Sequence, residues 1–462
     1  MRRALFLLLI LVSGMTSPAA VATPFPTTDM TLENGLRVLL VEQHRVPAVA
    51  HMLLIRAGAS EDPRGKSGLA HYLEHLLFKG TEKMSETYYN QQIAALGGEH
   101  NAFTNADATA YYVLVSKENL PQVMALEAER FLRWNPKPDV YASERDVIIE
   151  ERRLRTENQP SALLSEAMTA ALFQNHPYHT PIIGWMHEMQ QLTAQDAKDF
   201  FATYYQPKNA TLLLVGDVTP DEARTLAEKY YGNWKNTRDV PERRWTSEPP
   251  QRASLTLRML NPSVQQPLWR RYYEAPSLIA GETAQAVPLM LLSDMLGAEG
   301  TGLLYKALVA TGKATELSVS YYPFSLGPES LAVSMIPAKG VTPEQLTVAY
   351  EAALQKILTS TALNAESLAR AKTQLKAETI FARDGLEGQA FIIAQLVLLG
   401  LSPQDFIALP ERIDEVTLEQ VKTAASTVLV DAHAVTGYLL PDPNAPKAEA
   451  KPVAIQEGGL VH

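Results

Sequence analysis

The sequence predicts an α+β protein made of two halves of similar style, and three observations carry that reading. Runs rich in Val and Leu, such as Leu36–Glu42 and Ala48–Ile55, alternate with segments whose apolar residues recur at helical spacing. Around Lys235 to Arg252 the pattern becomes KNTRDVPERRWTSEPPQR, where charge, three prolines and no apolar periodicity mark a linker. Beyond it the same alternation resumes, although no residue-level repeat is visible between the halves.

Taken in order, residues 1–22 (MRRALFLLLILVSGMTSPAAVA) place two arginines before a short apolar run and end in a small-residue Ala20-Val21-Ala22 site. This is the layout of a cleaved secretory signal, and the run is short for a membrane span. The expected mature chain is exported, to a periplasm or the medium, in a bacterium judging by the style of the signal. The sequence has no Cys, so its fold rests on its core without disulfides, and any transition metal must be held by His and carboxylate. With 46% apolar and 20% charged residues the composition is that of a globular protein. A net charge of −10 without a basic run argues against nucleic acid as a partner.

Met30–Leu32, Asn34-Gly35 and LRVLLVE read as a hairpin with a two-residue turn, followed by a strand over Ala48–Ile55. A helix is expected from about Ser67. Gly97-Gly98 breaks the chain, and residues 100–115 (HNAFTNADATAYYVLV) have strand character. Helices follow at Lys117–Trp134 and from Ser143 to about Thr156. A strand LLLVG over residues 212–216 precedes a capped helix at Thr219–Tyr230. In the second half a strand lies near Trp269–Glu274 and a helix at Ala284–Leu296. The tail from about Pro441, rich in Pro, Ala and Lys, is expected to be disordered.

The helix from Ser67 carries His71-Tyr72-Leu73-Glu74-His75. Histidines four apart share a helical face, and Glu74 sits beside them. The H-x-x-E-H order suits two neutral imidazole ligands and a carboxylate that handles a proton, the inverzincin pattern. Catalytic zinc usually takes a third protein ligand and leaves one position open. The helix from Ser143 offers Glu144, Glu150 and Glu151, with Ser143 and Asp146 resembling a capping box. Val147, Glu151 and Leu154 fall on one stripe, so the spacing predicts a buried carboxylate at Glu151 and a solvated Glu150. Glu144, seven residues earlier, shares that face and is placed to orient a ligand histidine.

Several blocks in order, GLAHYLEHLLFKGT, GGEHNAFTNADATAYY, ERDVIIEERR, HPYHTPIIG and YYQPKNATLLLVGDV, resemble the M16 metallopeptidases, the family of pitrilysin and the mitochondrial processing peptidase. The resemblance implies two homologous α/β halves, each a mainly antiparallel sheet packed with helices. It implies one zinc per chain on His71, His75 and Glu151, with Glu74 as general base. Manganese or cobalt would also accept those ligands. The segment Asn101-Ala102-Phe103-Thr104 resembles the edge strand to which family members add an extended peptide substrate, with Asn101, Ala102 and Phe103 as the expected substrate-binding residues. His100 adjoins it, and His176 and His179 are expected to shape a loop.

The second half has no histidine between His187 and His433 and no Arg from residue 272 to 369. Where many members carry an Arg and a Tyr seven apart, this chain has Val309 and then Thr315 and Glu316. The resemblance therefore implies a metal-bearing subunit that works with an M16-like partner supplying the Arg/Tyr pair. The expected layout is a signal at 1–22, a catalytic domain at 23–235, a linker at 236–252, a metal-free domain at 253–440 and a tail at 441–462. The expected activity is zinc endopeptidase action on peptides or unfolded segments in an enclosed chamber. The rival is a non-catalytic scaffold or binding subunit, which has no need of an intact His71, Glu74, His75 and Glu151.

Overall fold

The β-forming runs of the first half assemble into one six-stranded sheet: β1 (Thr27–Thr31), β2 (Arg37–Glu42), β3 (Ala48–Ile55), β4 (Glu99–Thr104), β5 (Thr109–Ser116) and β6 (Ala210–Gly216). Their spatial order is β1-β2-β6-β3-β5-β4, antiparallel throughout except for the parallel β2/β6 pair. The computed structural model describes residues 26–381 and 385–444. The expected signal segment and residues 445–462 of the expected tail lie outside them.

Two local readings differ from expectation. The β1/β2 hairpin turns through three residues, Glu33–Gly35, because Leu32 N–H still bonds Leu36 O and Gly35 closes the turn at φ 89°. A left-handed third residue is the usual solution for such a loop. Residues 100–115 form a hairpin rather than one strand. Asn105 Oδ1 accepts from the N–H groups of Asp107 and Ala108 and reverses the chain between β4 and β5.

A second sheet contains β7 (Leu255–Asn261), β8 (Leu268–Ala275), β9 (Ala314–Ser320), β10 (Glu329–Pro337) and β11 (Ala434–Pro441), ordered β7-β11-β8-β10-β9. Here β7/β11 is the parallel pair and the rest are antiparallel. That is the order and sense of β2-β6-β3-β5-β4, so the repeat invisible in the residues is plain in the topology. The last strand runs to Pro441, where disorder was expected to begin.

In chain order the helices are α1 (Leu69–Leu77), α2 (Glu86–Ala95), α3 (Leu120–Leu132), α4 (Pro138–Arg152), α5 (Pro160–Leu172), α6 (Met186–Met189), α7 (Ala194–Tyr204) and α8 (Pro220–Tyr231). The second half adds α9 (Ala286–Gly297), α10 (Pro343–Thr359), α11 (Ala365–Phe381), α12 (Leu386–Leu398), α13 (Pro403–Ile407), α14 (Leu409–Glu415) and α15 (Leu418–Val428). Among the described residues, no helix is long and apolar enough to cross a membrane.

Two helices cross between the halves. Leu164, Met168 and Leu172 of α5 pack on Val435 and Leu439 of the second sheet. At Gly437 a Cβ would stand 2.3 Å from Met168 Sδ, so the missing side chain lets α5 approach. Reciprocally, Leu386, Ala390, Ile393 and Val397 of α12 cover Ala50, Met52, Leu54, Leu213 and Val215 of the first sheet. The opposite face of that sheet packs under α1, so β6 is buried on both sides and reads as the continuous apolar run LLLV.

The halves also meet at the tip of the β4/β5 hairpin. The Asp107 carboxylate accepts from Tyr178 Oη at 2.7 Å and from Leu326 N–H of the second half at 2.9 Å. The linker is pinned there too, since Arg243 donates to Glu61 at 2.6 Å and to Asp107 O at 2.8 Å. Glu329 lies close by, and burial, added to by Asp107, pushes its carboxyl up to about 7. Folded Glu329 thus keeps a proton that the unfolded chain gives up near pH 4.3. Its contribution is complete below that value and is lost as pH rises towards 7. Glu329→Gln should therefore raise stability at pH 8 by up to about 3 kcal/mol and change little near pH 4. Denaturant melts at the two pH values check this, and equal effects at both would refute it.

Candidate metal centre

Helix α1 is short and buried on most sides: Leu69, Ala70, His71, Tyr72, Leu73, Leu76 and Leu77 are all enclosed. Its first N–H groups are met by one carboxylate, as Asp62 accepts from Gly68 at 2.7 Å, Leu69 at 3.2 Å and Ala70 at 2.8 Å. Gly68 must be glycine, because it sits at φ 83° with Ile183 O 2.5 Å from where a Cβ would be. Behind the far end of α1, Phe78 lies against the buried Arg130, whose Cζ is 4.3 Å from the ring centre. Arg130 in turn bonds the buried Glu127 at 2.7 Å.

This frame presents His71 and His75 with ring centres 4.8 Å apart. Glu151, from the last turn of α4, places Oε2 3.6 Å from His71 Nε2 and 3.3 Å from His75 Nε2. One ligand atom from each of the three residues lies within 4.8 Å of the others. Glu150 points away, mostly exposed and paired with Arg153.

The route by which α4 delivers Glu151 is not the expected one. The helix starts at Pro138, so Ser143 is no cap and its hydroxyl donates to Val140 O at 3.0 Å. Its buried residues are Tyr141, Glu144, Ile148, Ile149 and Arg152, whereas Val147 and Leu154 are 48% and 67% exposed. The apolar stripe that singled out Glu151 faces solvent. Glu151 reaches the histidines because it stands almost two turns beyond the buried Glu144, on the edge of the inward face. After Arg152 the coil loosens into a π-helical turn over Arg153–Glu157, anchored by Arg152 bonding Glu157 and Glu166 at 3.0 and 2.8 Å.

Glu144 Oε1 is 2.9 Å from His75 Nδ1, and its other oxygen is 3.0 Å from Lys79 Nζ. Burial acts to raise Glu144, but His75 and Lys79 hold it below its ordinary value. Burial, then the neighbouring His75, pulls His71 down to about 4. For His75 burial is outweighed by hydrogen bonds to Glu144 and Glu151, which hold it up at about 9. Of the two imidazoles, His75 is therefore the more basic. Glu74 is raised by burial against a hydrogen bond from the Thr104 hydroxyl.

Thr104 ends β4, which among the described residues pairs only with β5 and forms the edge of its sheet. Sequence reasoning placed Thr104 in the edge strand without giving it a partner, and passed over Lys79. Of Asn101, Ala102 and Phe103, Ala102 shares the α1 face, while Phe103 packs on Phe391 of α12 at 5.2 Å. His100 lies between Phe78 and Tyr89, outside the trio. His176 and His179 occupy a loop beside Tyr178 and Trp245.

The trio is compatible with one metal ion. Ligand atoms bound to one zinc at ordinary bond lengths stand about 3.3 Å apart, close to the 3.3 and 3.6 Å found between Glu151 and the two imidazoles. Glu144 fixes Nδ1 of His75 as a donor and leaves Nε2 free to bind. His71 Nδ1 is buried without a partner.

Comparison with known proteins agrees with this geometry. A model of insulinase, peptidase family M16, matches residues 37–185, and one of the M16 peptidase inactive domain matches residues 191–375. The chain belongs to the M16 peptidase family. Zinc protease PqqE of Helicobacter pylori is 38% identical over 209 residues, which are 45% of this chain and 47% of that protein. The chain spans about half the length of the curated bacterial M16 relatives it matches. The crystal structure of a Helicobacter pylori protease superposes with a TM-score of 0.84 at 28% identity, covering 90% of this chain and 100% of that one. The first half of the periplasmic protease PqqL of Escherichia coli shares the fold, with a TM-score of 0.72 at 20% identity over 90% of this chain and 92% of that one. The first match contains His71, His75 and Glu151, and the second, which begins at residue 191, contains none of them.

Removing the Glu144 charge should weaken zinc binding about 10- to 100-fold, the usual cost of losing such a partner. Chelator competition on Glu144→Gln measures it, and an unchanged affinity would show that His75 needs no orienting partner. In the parent, His75 must release its proton to bind metal, so affinity should tighten about tenfold per pH unit between pH 6 and 8. A flat profile would contradict a His75 held above its ordinary value by Glu144 and Glu151.

Proposed function

We propose that the protein is an exported zinc endopeptidase that hydrolyses peptides or unfolded segments in an enclosed chamber. The observation that carries the reading is the convergence of His71, His75 and Glu151, with Glu74 beside them and bonded to the edge strand. Residues 23–235 would supply the chemistry and residues 253–440 would support the substrate, joined by the stretch 236–252. Export rests on the residue 1–22 pattern, and the likeness in fold to a protein titled periplasmic fits it.

Zinc bound by His71, His75 and Glu151 would supply Lewis acidity towards the scissile carbonyl and towards water. The chain's own groups do the rest. Glu74, raised by burial, takes the proton from the attacking water and returns it to the leaving amine. Thr104, donating to Glu74, fixes which carboxylate oxygen does so. Backbone groups on the open side of Asn101–Phe103 would align an extended peptide by strand addition. Glu144 and Lys79 hold His75 in place from behind.

The missing Arg/Tyr pair supports a heterodimer with an M16-like subunit that carries it. Lys306 and Lys313 do not replace it, because an ammonium cannot reproduce the guanidinium fork.

Cleavage of an unstructured quenched peptide by the zinc-loaded protein tests the reading. Glu74→Gln should lower the rate about 100- to 10,000-fold while leaving zinc bound. Activity in the single chain would remove the need for a partner. Zinc binding without activity, rescued by an Arg/Tyr-bearing chain, would support the heterodimer, and the absence of both zinc and activity would favour a scaffold.

A further inference from the structure

The π-helical turn after α4 places Arg155 directly beside the trio. Its Nη1 lies 2.8 Å from Glu151 Oε1, the oxygen turned away from the imidazoles, and the side chain is 73% exposed. Its charge also reaches inward, adding to the forces on His71 and Glu74. The other carboxylates of this segment are already taken: Glu150 pairs with Arg153, and Glu157 with the buried Arg152. A cation held through Glu151 Oε2 would share the carboxylate's charge, so Oε1 would hold the exposed Arg155 less tightly. Among the described residues 150–157 no free carboxylate remains for the guanidinium to turn to.

Resting on the zinc-peptidase reading, we propose that Arg155 is a specificity-determining residue at the rim of the metal centre, selecting peptides that carry a carboxylate close to the scissile bond. The planar fork of an exposed arginine suits two-point contact with a carboxylate. The preference is local and opposes the overall charge of −10, which by itself would favour basic substrates. The carboxylate has two sources, an Asp or Glu side chain or the free C-terminus of a short peptide, and both present the same group.

The test uses the full chain, with any partner it proves to need, loaded with zinc. Matched peptides carry Glu or Gln at each position flanking the cleaved bond, each with a free or amidated C-terminus. Binding of the same peptides to the Glu74→Gln protein, read by fluorescence anisotropy, gives a measurement independent of turnover. The parent should favour the carboxylate-bearing peptide about three- to fivefold, the scale of an exposed ion pair. Arg155→Ala should bring that ratio to one, Arg155→Lys should keep part of it, and Arg155→Glu should invert it, each with zinc still bound. An effect confined to the C-terminal arm assigns the contact to the free terminus, and one confined to the side-chain arm to an acidic residue. A ratio that is the same in parent and Arg155→Ala, or a parent preference for Gln, overturns the inference alone. A parent that binds no zinc overturns the zinc-peptidase reading and this one together.

Discussion

The structure depends on one conflict: α1 must be buried to be held rigid, yet it carries His71, Glu74 and His75. Its leucines settle the first demand, since each fully buried one contributes about 1.5–3 kcal/mol. Enclosing polar groups costs free energy unless they meet partners, and all but His71 Nδ1 among these do. Asp62 takes up the N-terminal N–H groups, Thr104 bonds Glu74, and Glu144 and Glu151 bond His75. Those four partners come from three stretches of chain, so the hairpin, α4 and the loop before α1 are all fixed by what one nine-residue helix requires.

The same logic explains the second layer. Glu144 is a buried carboxylate, and such a group is tolerable only when both oxygens are engaged. Lys79 engages the second oxygen and also bonds Glu86 at 2.9 Å, which ties the start of α2 to the end of α1. Further back, Glu127 and Arg130 form an enclosed ion pair among Phe78, Tyr89 and Tyr111. Rigidity at the histidines is thus propagated through polar contacts inside an apolar shell rather than through the shell alone.

Much of this was legible in the residues. Helical spacing fixed the shared face of His71 and His75, and the apolar run Ala48–Ile55 matches β3 from end to end. What escaped reading depends on tertiary context. The stripe of Val147, Glu151 and Leu154 looks buried by periodicity, but α4 packs through Tyr141, Glu144 and Ile148, and polar residues on that face are satisfied only by neighbours distant in sequence. Thr104 is an ordinary strand residue until β4 is laid beside α1. The β4/β5 hairpin hid because its turn is made by a side chain, Asn105, and not by a Gly-rich pair. Helix α2, with buried Tyr89 and Ile93 but few other apolar residues, shows no periodic signal strong enough to read.

The repeat between the halves was illegible for a further reason: topology is shared but chemistry is not. Helix α9 takes the place of α1 and buries Leu289, Leu291, Leu292, Met295 and Leu296 with no histidine among them. It needs none of the polar partners that α1 demands, so residue-level likeness has little to act on. The second half nonetheless bears on the site through α12. That helix covers the face of the first sheet opposite α1, and its Phe391 packs on both Phe103 and Tyr112. The edge strand whose Thr104 bonds Glu74 is therefore supported from behind by the half that holds no metal ligands. Cutting the chain at the linker would strip α12 from Met52, Leu54 and Val215, and would leave α5 with no second sheet to cover. The linker divides the sequence, but the exchanged helices make the two halves one folding unit, and the geometry of the metal centre belongs to both.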